Sequence, residues 1–348
     1  MVAILDFLKE EKINAEINAL KTANNELRSM LNEIIQCVID NNALSERLMQ
    51  EMKAQTERVL DLHIRMDNLP YEILDPRMHD TYTSIPRIMT EKETIDEIVN
   101  NKKSIARFGD GEFSLMFGDS RWRFQKVDDK LAMRLREVVT SNNENIMIGL
   151  INFYGSLSHR SAGDAAAIRS YITPEIRKQH MELLNPKKLY ANTGISRSGT
   201  AEKVADQKRI WNNKDCVFIE GSQTRMGVGN DLFRNARSIQ RILCPPEHAF
   251  DNYDAILEEA LKLPHSKTIL IALGPTASVL AYDLAKAGYH AIDIGHVDLS
   301  YEWFLRSGGA KVAAVSYKYN NEWPGGYIVE DIHDEQYESE IIADLSIL

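Results

Sequence analysis

Hydrophobic positions recur at two different periods along this 348-residue chain, and the change falls near residue 70. Residues 10–69 contain neither Gly nor Pro. With Ile13 set as heptad position d, the d row reads Ile13, Leu20, Leu27, Ile34, Asn41, Leu48, Gln55, Leu62, Leu69; the a row reads Ile17, Asn24, Leu31, Val38, Ser45, Met52, Val59, Met66. Thirteen of these seventeen positions are apolar. A seam sustained that long predicts a coiled coil, not merely an amphipathic helix, about 90 Å long if unbroken. Asn24 at an a position is a register device, and Glu16 at g can pair with Lys21 at e of a second helix. Met30, Ile35, Cys37, Leu44 and Met49 widen the apolar stripe into the e and g rows, which suits three or four helices or docking on another surface. The reading is homo-oligomerisation through residues 1–69. The competing arrangement is a helical hairpin bent at Asn41-Asn42.

Residues 70–84 carry two prolines and no helical period, and read as a linker. Beyond them, short apolar runs alternate with amphipathic stretches. Strands are predicted at 104–108, 145–150, 188–194, 216–221, 268–274 and 290–295, with helices at 127–140, 200–212, 251–263 and 276–287. This alternation predicts an α/β fold: a Rossmann-like, mostly parallel sheet with helices on both faces, preceded by the long N-terminal helix. Ligands of such sheets bind beyond the carboxyl ends of the strands, so the chemistry is sought there.

Gly109-Asp110-Gly111-Glu112 follows the first strand. On extended backbone the two carboxylates point the same way and suit a hard divalent cation that also accepts diphosphate oxygens. On spacing alone the pair more often marks a solvated acidic turn. After 216–221 comes a Gly-rich loop containing Arg225 and Asn230, able to offer amides and a guanidinium to phosphate, or simply a long connection; it is not a Walker A sequence. Gly274-Pro275-Thr276 opens a helix whose free N–H groups can face an anion. Arg197 follows another strand, and His296, with Asp298 and Glu302 on the next helix, follows the last. Singly these are weak signals; their convergence on one sheet edge is not.

Composition narrows the partners. The 41 basic residues against 51 acidic ones leave a net charge of −10, so the basic footprint of a nucleic-acid binder is missing. Cys37, Cys216 and Cys244 are too few and scattered for a disulfide framework or a zinc site, and fit a reducing cytoplasm. The N-terminus lacks the basic region of a signal peptide, and no stretch is apolar enough to span a bilayer.

RFGDGE (107–112), EGSQTRMGVGNDLF (220–233), RILCPPEHAF (241–250), LGPTASVLAYDLA (273–285) and DIGHVDLSYEWF (293–304), in that order, resemble the bacterial GT-D-fold glycosyltransferases. The likeness runs from about residue 85 to 310 and leaves 311–348 as a C-terminal extension. It implies a metal-dependent hexosyltransferase that moves a sugar, typically glucose, from a UDP-sugar to a protein- or lipid-linked glycan. A lipid-linked acceptor would bring the enzyme to the inner membrane face. By the same resemblance Asp110 and Glu112 hold Mn²⁺ or Mg²⁺. From their own chemistry Arg107, Asp110, Arg197, Glu220, Arg225, Asn230, Gly274 and Thr276 are the residues expected to bind the nucleotide sugar. His296, Asp298 and Glu302 are the catalytic candidates, with Glu302 or His296 as the base. Two positions depart from the family pattern: Ser300 stands where an acid is expected, and His248 where Asn is commoner.

Two other classes use the same edge. A sugar or lipid phosphotransferase would employ His296 as nucleophile or acid, and a non-catalytic scaffold would only bind the nucleotide sugar. The tail from Glu330, with seven carboxylates and no Lys or Arg, reads as a solvated terminal segment.

Overall fold

The computed structural model of the chain describes residues 2–73, 86–118, 124–158, 160–312 and 315–347. Its contacts divide the chain into two units, Met1–Leu69 and Pro70–Leu348.

Helix α1 (Val2–Ile73) is continuous through Asn41 and Asn42, so the hairpin arrangement does not occur. It also runs through Pro70 to Ile73, four residues into the expected linker. Residues 74–85 of that linker, and the side chains of Ile13 and Ile17, lie outside the described residues. In the first unit the heptad side chains are exposed: Leu20, Leu27, Leu31, Ile34, Val38, Leu48, Met52, Val59 and Leu62 all keep more than half of their surface. A single helix has no core in which to bury them.

The second unit is built on a nine-stranded sheet in which every pairing is parallel. In chain order its elements are β1 (Arg87–Ile88), α2 (Glu91–Asn100), β2 (Ser104–Phe108), α3 (Asp110–Met116), α4 (Asp129–Thr140), β3 (Ile146–Leu150), α5 (Ala162–Tyr171), α6 (Pro174–Leu183) and β4 (Leu189–Asn192). There follow α7 (Ala201–Lys208), β5 (Asp215–Gly221), β6 (Ser238–Cys244), α8 (Tyr253–Ala260), β7 (Thr268–Ala272), α9 (Pro275–Lys286), β8 (His290–Asp293), α10 (Val297–Ser307), α11 (Glu335–Ser339) and β9 (Ile341–Asp344). The local chemistry is direct. Thr90 and Glu93 form a reciprocal capping box that starts α2, and Asp128 caps α4 through the Leu131 amide at 2.8 Å. Strand β7 is buried at all five positions, as a central parallel strand covered on both faces must be.

The strand order is β1-β4-β3-β2-β8-β7-β5-β6-β9. The chain winds outward from β2 through β3 and β4 to one side, while β5 to β9 fill the other. The order therefore reverses between β2 and β8, and in open parallel sheets ligands bind beyond the carboxyl ends of the strands at such a reversal.

The acidic tail is part of this sheet. β9 extends it beside β6, with Arg241 opposite Ile341, and Tyr337 packs with Val228 and Leu243. Arg241, buried, donates from Nε to Glu340 at 2.8 Å and from Nη1 to Glu220 at 2.5 Å. Alternating Ile341 and Ala343, together with one buried cation, dock a segment whose net charge alone predicts solvation.

Candidate active site

Helix α3 begins at Asp110 directly after Gly109, so the Asp-x-Glu pair sits on a first helical turn and not on extended backbone. Positions i and i+2 of a helix point to different sides. Glu112 folds back instead, and one of its oxygens accepts the Gly109 amide at 2.7 Å. Burial pushes its carboxyl up to about 7, against the pull of that amide, with the Asp293 charge adding to the rise. Burial also raises the Asp110 carboxyl, as does the Glu322 charge, while Arg197 works the other way. Among the described residues no cation lies within ion-pair distance of Asp110. No three acid, His or Cys side chains there group as a metal cage either. A half-buried, unneutralised carboxylate at a strand end fits a cation that takes one or two protein ligands and completes its shell with substrate phosphate and water, the habit of Mg²⁺.

His296 follows β8, across the reversal from Asp110. Its ring is one-third exposed, and its Nδ1 lies 2.8 Å from Oε1 of Glu322. The same oxygen accepts from Arg197 at 2.8 Å, and Lys311 pairs with the other oxygen. Burial alone would raise the Glu322 carboxyl; the hydrogen bond and charge of His296, with Arg197, hold it far below the ordinary carboxylate range. Asp110, Arg197 and His296 thus come together from three strand ends.

The remaining candidates are engaged inside the fold. Arg107 clamps the reversal: its guanidinium donates to Asp293 Oδ1 at 2.8 Å and to Ser196 at 2.7 Å. The arginine packs so closely on Gly295 that a Cβ there would collide with it. Asp298 and Glu302 are buried around Lys318, whose Nζ reaches them at 2.6 and 3.2 Å. Asn230 donates to both acids, at 2.8 and 2.7 Å, and the Gly227 amide bonds Asp298. Burial would lower the Lys318 ammonium, but the two carboxylates raise it. Glu220 is fully buried between Arg241 and the Met226 amide. Arg225 donates to the carbonyls of Tyr317 and Glu330, so it anchors the C-terminal segment. Phe124 packs over Gly274, and Thr276 is buried beside Gln125, so the first turn of α9 is covered from that side.

The two departures from the family pattern have local explanations. Ser300 is buried and takes the Ser198 amide at 2.8 Å, fixing the backbone beside Arg197. His248 has φ 54°, left-handed backbone for which Asn is a favoured residue, and its Nδ1 accepts the Lys126 amide.

Sequence reasoning missed Lys318, Glu322 and Lys311. All three lie beyond residue 310 in aromatic-rich coil with no period, where a lone Lys or Glu carries no signal; only the fold returns them to the edge.

Comparisons with known proteins bear on the fold that carries these residues. A model of the glycosyltransferase GT-D fold matches residues 105–323. Among curated proteins, "Probable glycosyl transferase Gly" of Streptococcus gordonii is 34% identical over 268 residues, 74% of this chain. Glycosyltransferase GlyD of Streptococcus pneumoniae is 33% identical over 72% of this chain. The chain spans only 39% and 31% of the lengths of these two relatives. Among solved structures, a protein described as a new glycosyltransferase from Streptococcus sanguinis is 34% identical, with a TM-score of 0.69 over 75% of this chain and all of that one. A domain described as having a distinct glycosyltransferase fold gives 0.71 at 30% identity, over 80% of this chain and 99% of that one. With an all-parallel sheet that reverses between β2 and β8, and with relatives this similar across its second unit, the chain belongs to the GT-D-fold glycosyltransferase family.

Proposed function

We propose that the chain is a metal-dependent glycosyltransferase that moves a hexose, glucose by preference, from a UDP-sugar to a protein- or lipid-linked glycan acceptor. The observation that carries this reading is the convergence of Asp110, Arg197 and His296 on the sheet reversal of a glycosyltransferase fold. Asp110, backed by Glu112, holds Mn²⁺ or Mg²⁺. When bound, the ion supplies positive charge against the departing diphosphate. Arg197 and Lys311 lie where they can add to that charge. Glu302 is closed off by Lys318 and Asn230, whereas His296 keeps part of its ring in the open, so His296 is the better base for the acceptor hydroxyl. The anomeric carbon–diphosphate bond breaks with its electron pair on UDP. Arg107, Asp298, Lys318 and Asn230 set the edge in place. The exposed heptad face of α1 is covered by a second copy of the chain, since the seam is self-complementary and Glu16 and Lys21 fall at g and e.

The test is UDP release from a panel of UDP-sugars with Mn²⁺, Mg²⁺ or EDTA, for wild type and Asp110→Asn. Slow metal-dependent hydrolysis of one sugar nucleotide, lost in the variant, is expected. No turnover, together with no thermal stabilisation by UDP plus Mn²⁺, overturns the reading.

A further inference from the structure

The segment that follows α10 crosses the edge of the sheet and is pinned there at several points. Lys318 is buried between Asp298 and Glu302, and Asn320 is fully buried against Gly326. The Tyr319 amide bonds the Gln223 carbonyl at 2.9 Å, and Arg225 holds the carbonyls of Tyr317 and Glu330. The Glu322 amide is itself held by Asn320 Oδ1 at 3.0 Å. Glu322 is therefore presented from a fixed backbone, with a side chain only 16% exposed, to the Nδ1 face of His296.

Three donors meet on this one carboxylate: His296, Arg197 and Lys311. Arg197 and Lys311 keep it ionised, and an ionised carboxylate only accepts hydrogen bonds. The proton between His296 and Glu322 therefore resides on Nδ1, and in the neutral ring the lone pair is left on Nε2.

We infer that Glu322 is the positioning residue of the transfer reaction: it fixes the His296 tautomer so that Nε2 takes the proton of the acceptor hydroxyl. This rests on the transferase reading above. The step balances: the hydroxyl O–H bond breaks, the proton forms an N–H bond at Nε2, and the freed oxygen pair bonds the anomeric carbon as the diphosphate leaves with its own pair. The imidazolium that forms faces a carboxylate across 2.8 Å, which stabilises the charge as it develops.

The experiment uses the full-length chain in three variants, Glu322→Ala, His296→Ala and the double substitution, with Glu322→Gln as a volume-conserving control for folding. Turnover of the accepted UDP-sugar is split into kcat and KM, and histidine ring ¹⁵N spectra read the tautomer of His296, assigned by its loss in His296→Ala. Expected are a proton on Nδ1 in wild type, a mixture of tautomers in Glu322→Ala, and kcat lower by about 10- to 100-fold with KM for the UDP-sugar changed less than about threefold. Added to His296→Ala, the Glu322 substitution then costs nothing further, because Glu322 acts through the ring. Wild-type kcat in Glu322→Ala, a loss that adds fully to that of His296→Ala, or a proton on Nε2 in wild type each overturns the positioning role. If wild type turns over no UDP-sugar, the transferase reading has failed and the base falls with it; turnover with an indifferent Glu322 sinks the positioning residue alone.

Discussion

The two units of this chain invert each other's chemistry. The helical unit carries its apolar side chains on the outside: Leu20, Leu27 and Met66 keep 65–70% of their surface. The sheet unit carries charge on the inside. Glu220, Arg241, Asp298, Glu302 and Lys318 are all nearly or wholly buried. In water, exposed apolar surface is a deficit that association repairs, at about 25 cal/mol per Å² covered. Buried charge is tolerable only with its partners in place. The proposed self-association would complete the helix, whereas the sheet unit is completed by its own last forty residues, which bring Lys318, Glu322 and Glu340 back to acids, bases and cations set out much earlier.

The largest expected effect breaks the first half of this contrast. Leu31→Glu combined with Val38→Glu places charges at two successive a positions and should convert the assembly to single chains, as read by analytical ultracentrifugation. UDP-sugar hydrolysis should stay within about twofold, because the site lies wholly in the other unit. A wild type that already sediments as one chain would remove the coiled coil from the account.

Next comes Lys318→Met, which leaves the buried Asp298 carboxylate without its cation and Glu302 with only the half-exposed Arg306, 3.5 Å away. The cost should be about 3–5 kcal/mol, measured by urea unfolding through tryptophan fluorescence. The four tryptophans, at 122, 211, 303 and 323, all lie beyond the helical unit and report on the sheet unit alone. A loss near zero would mean that water reaches these acids.

The smallest effect is one of pH. Burial lifts Glu112 from 4.5 to about 7, so folding favours its protonated form. That contribution is complete below the unfolded-state value and is lost as the pH rises through the folded one, a fall of roughly 3 kcal/mol. Glu112→Gln keeps an acceptor for the Gly109 amide but carries no charge. In EDTA, its stability should decline less than that of wild type over this window; parallel curves would show that Glu112 ionises without penalty.

Much of the sheet unit was legible in the sequence because buried parallel strands are continuous apolar runs: Ser104–Phe108 and Thr268–Ala272 follow directly from their residues. β6 was hidden by Gln240 and Arg241, and β9 by the acidic tail, since both depend on an ion pair made only in the fold. The strand-end positions of Asp110, Arg197 and His296 followed from the same strand pattern. Their company did not. Asp298 and Glu302 read as open carboxylates until Lys318 was placed between them, and Glu322 has no local pattern at all. Contacts of long sequence separation leave no period to read. The backbone of Glu112 was misread for a different reason: an acid at i+2 faces its neighbour on extended backbone, whereas on this first helical turn it caps the Gly109 amide.

The central claim is that Asp110 anchors a cation and a UDP diphosphate at the reversal between β2 and β8. Anomalous diffraction at the manganese edge from crystals grown with Mn²⁺ and UDP tests it most directly. The account predicts a peak about 2.0–2.3 Å from an Asp110 carboxylate oxygen, with the diphosphate bridging toward Arg197 and His296. A peak, or UDP density, at any other edge of the sheet would contradict it.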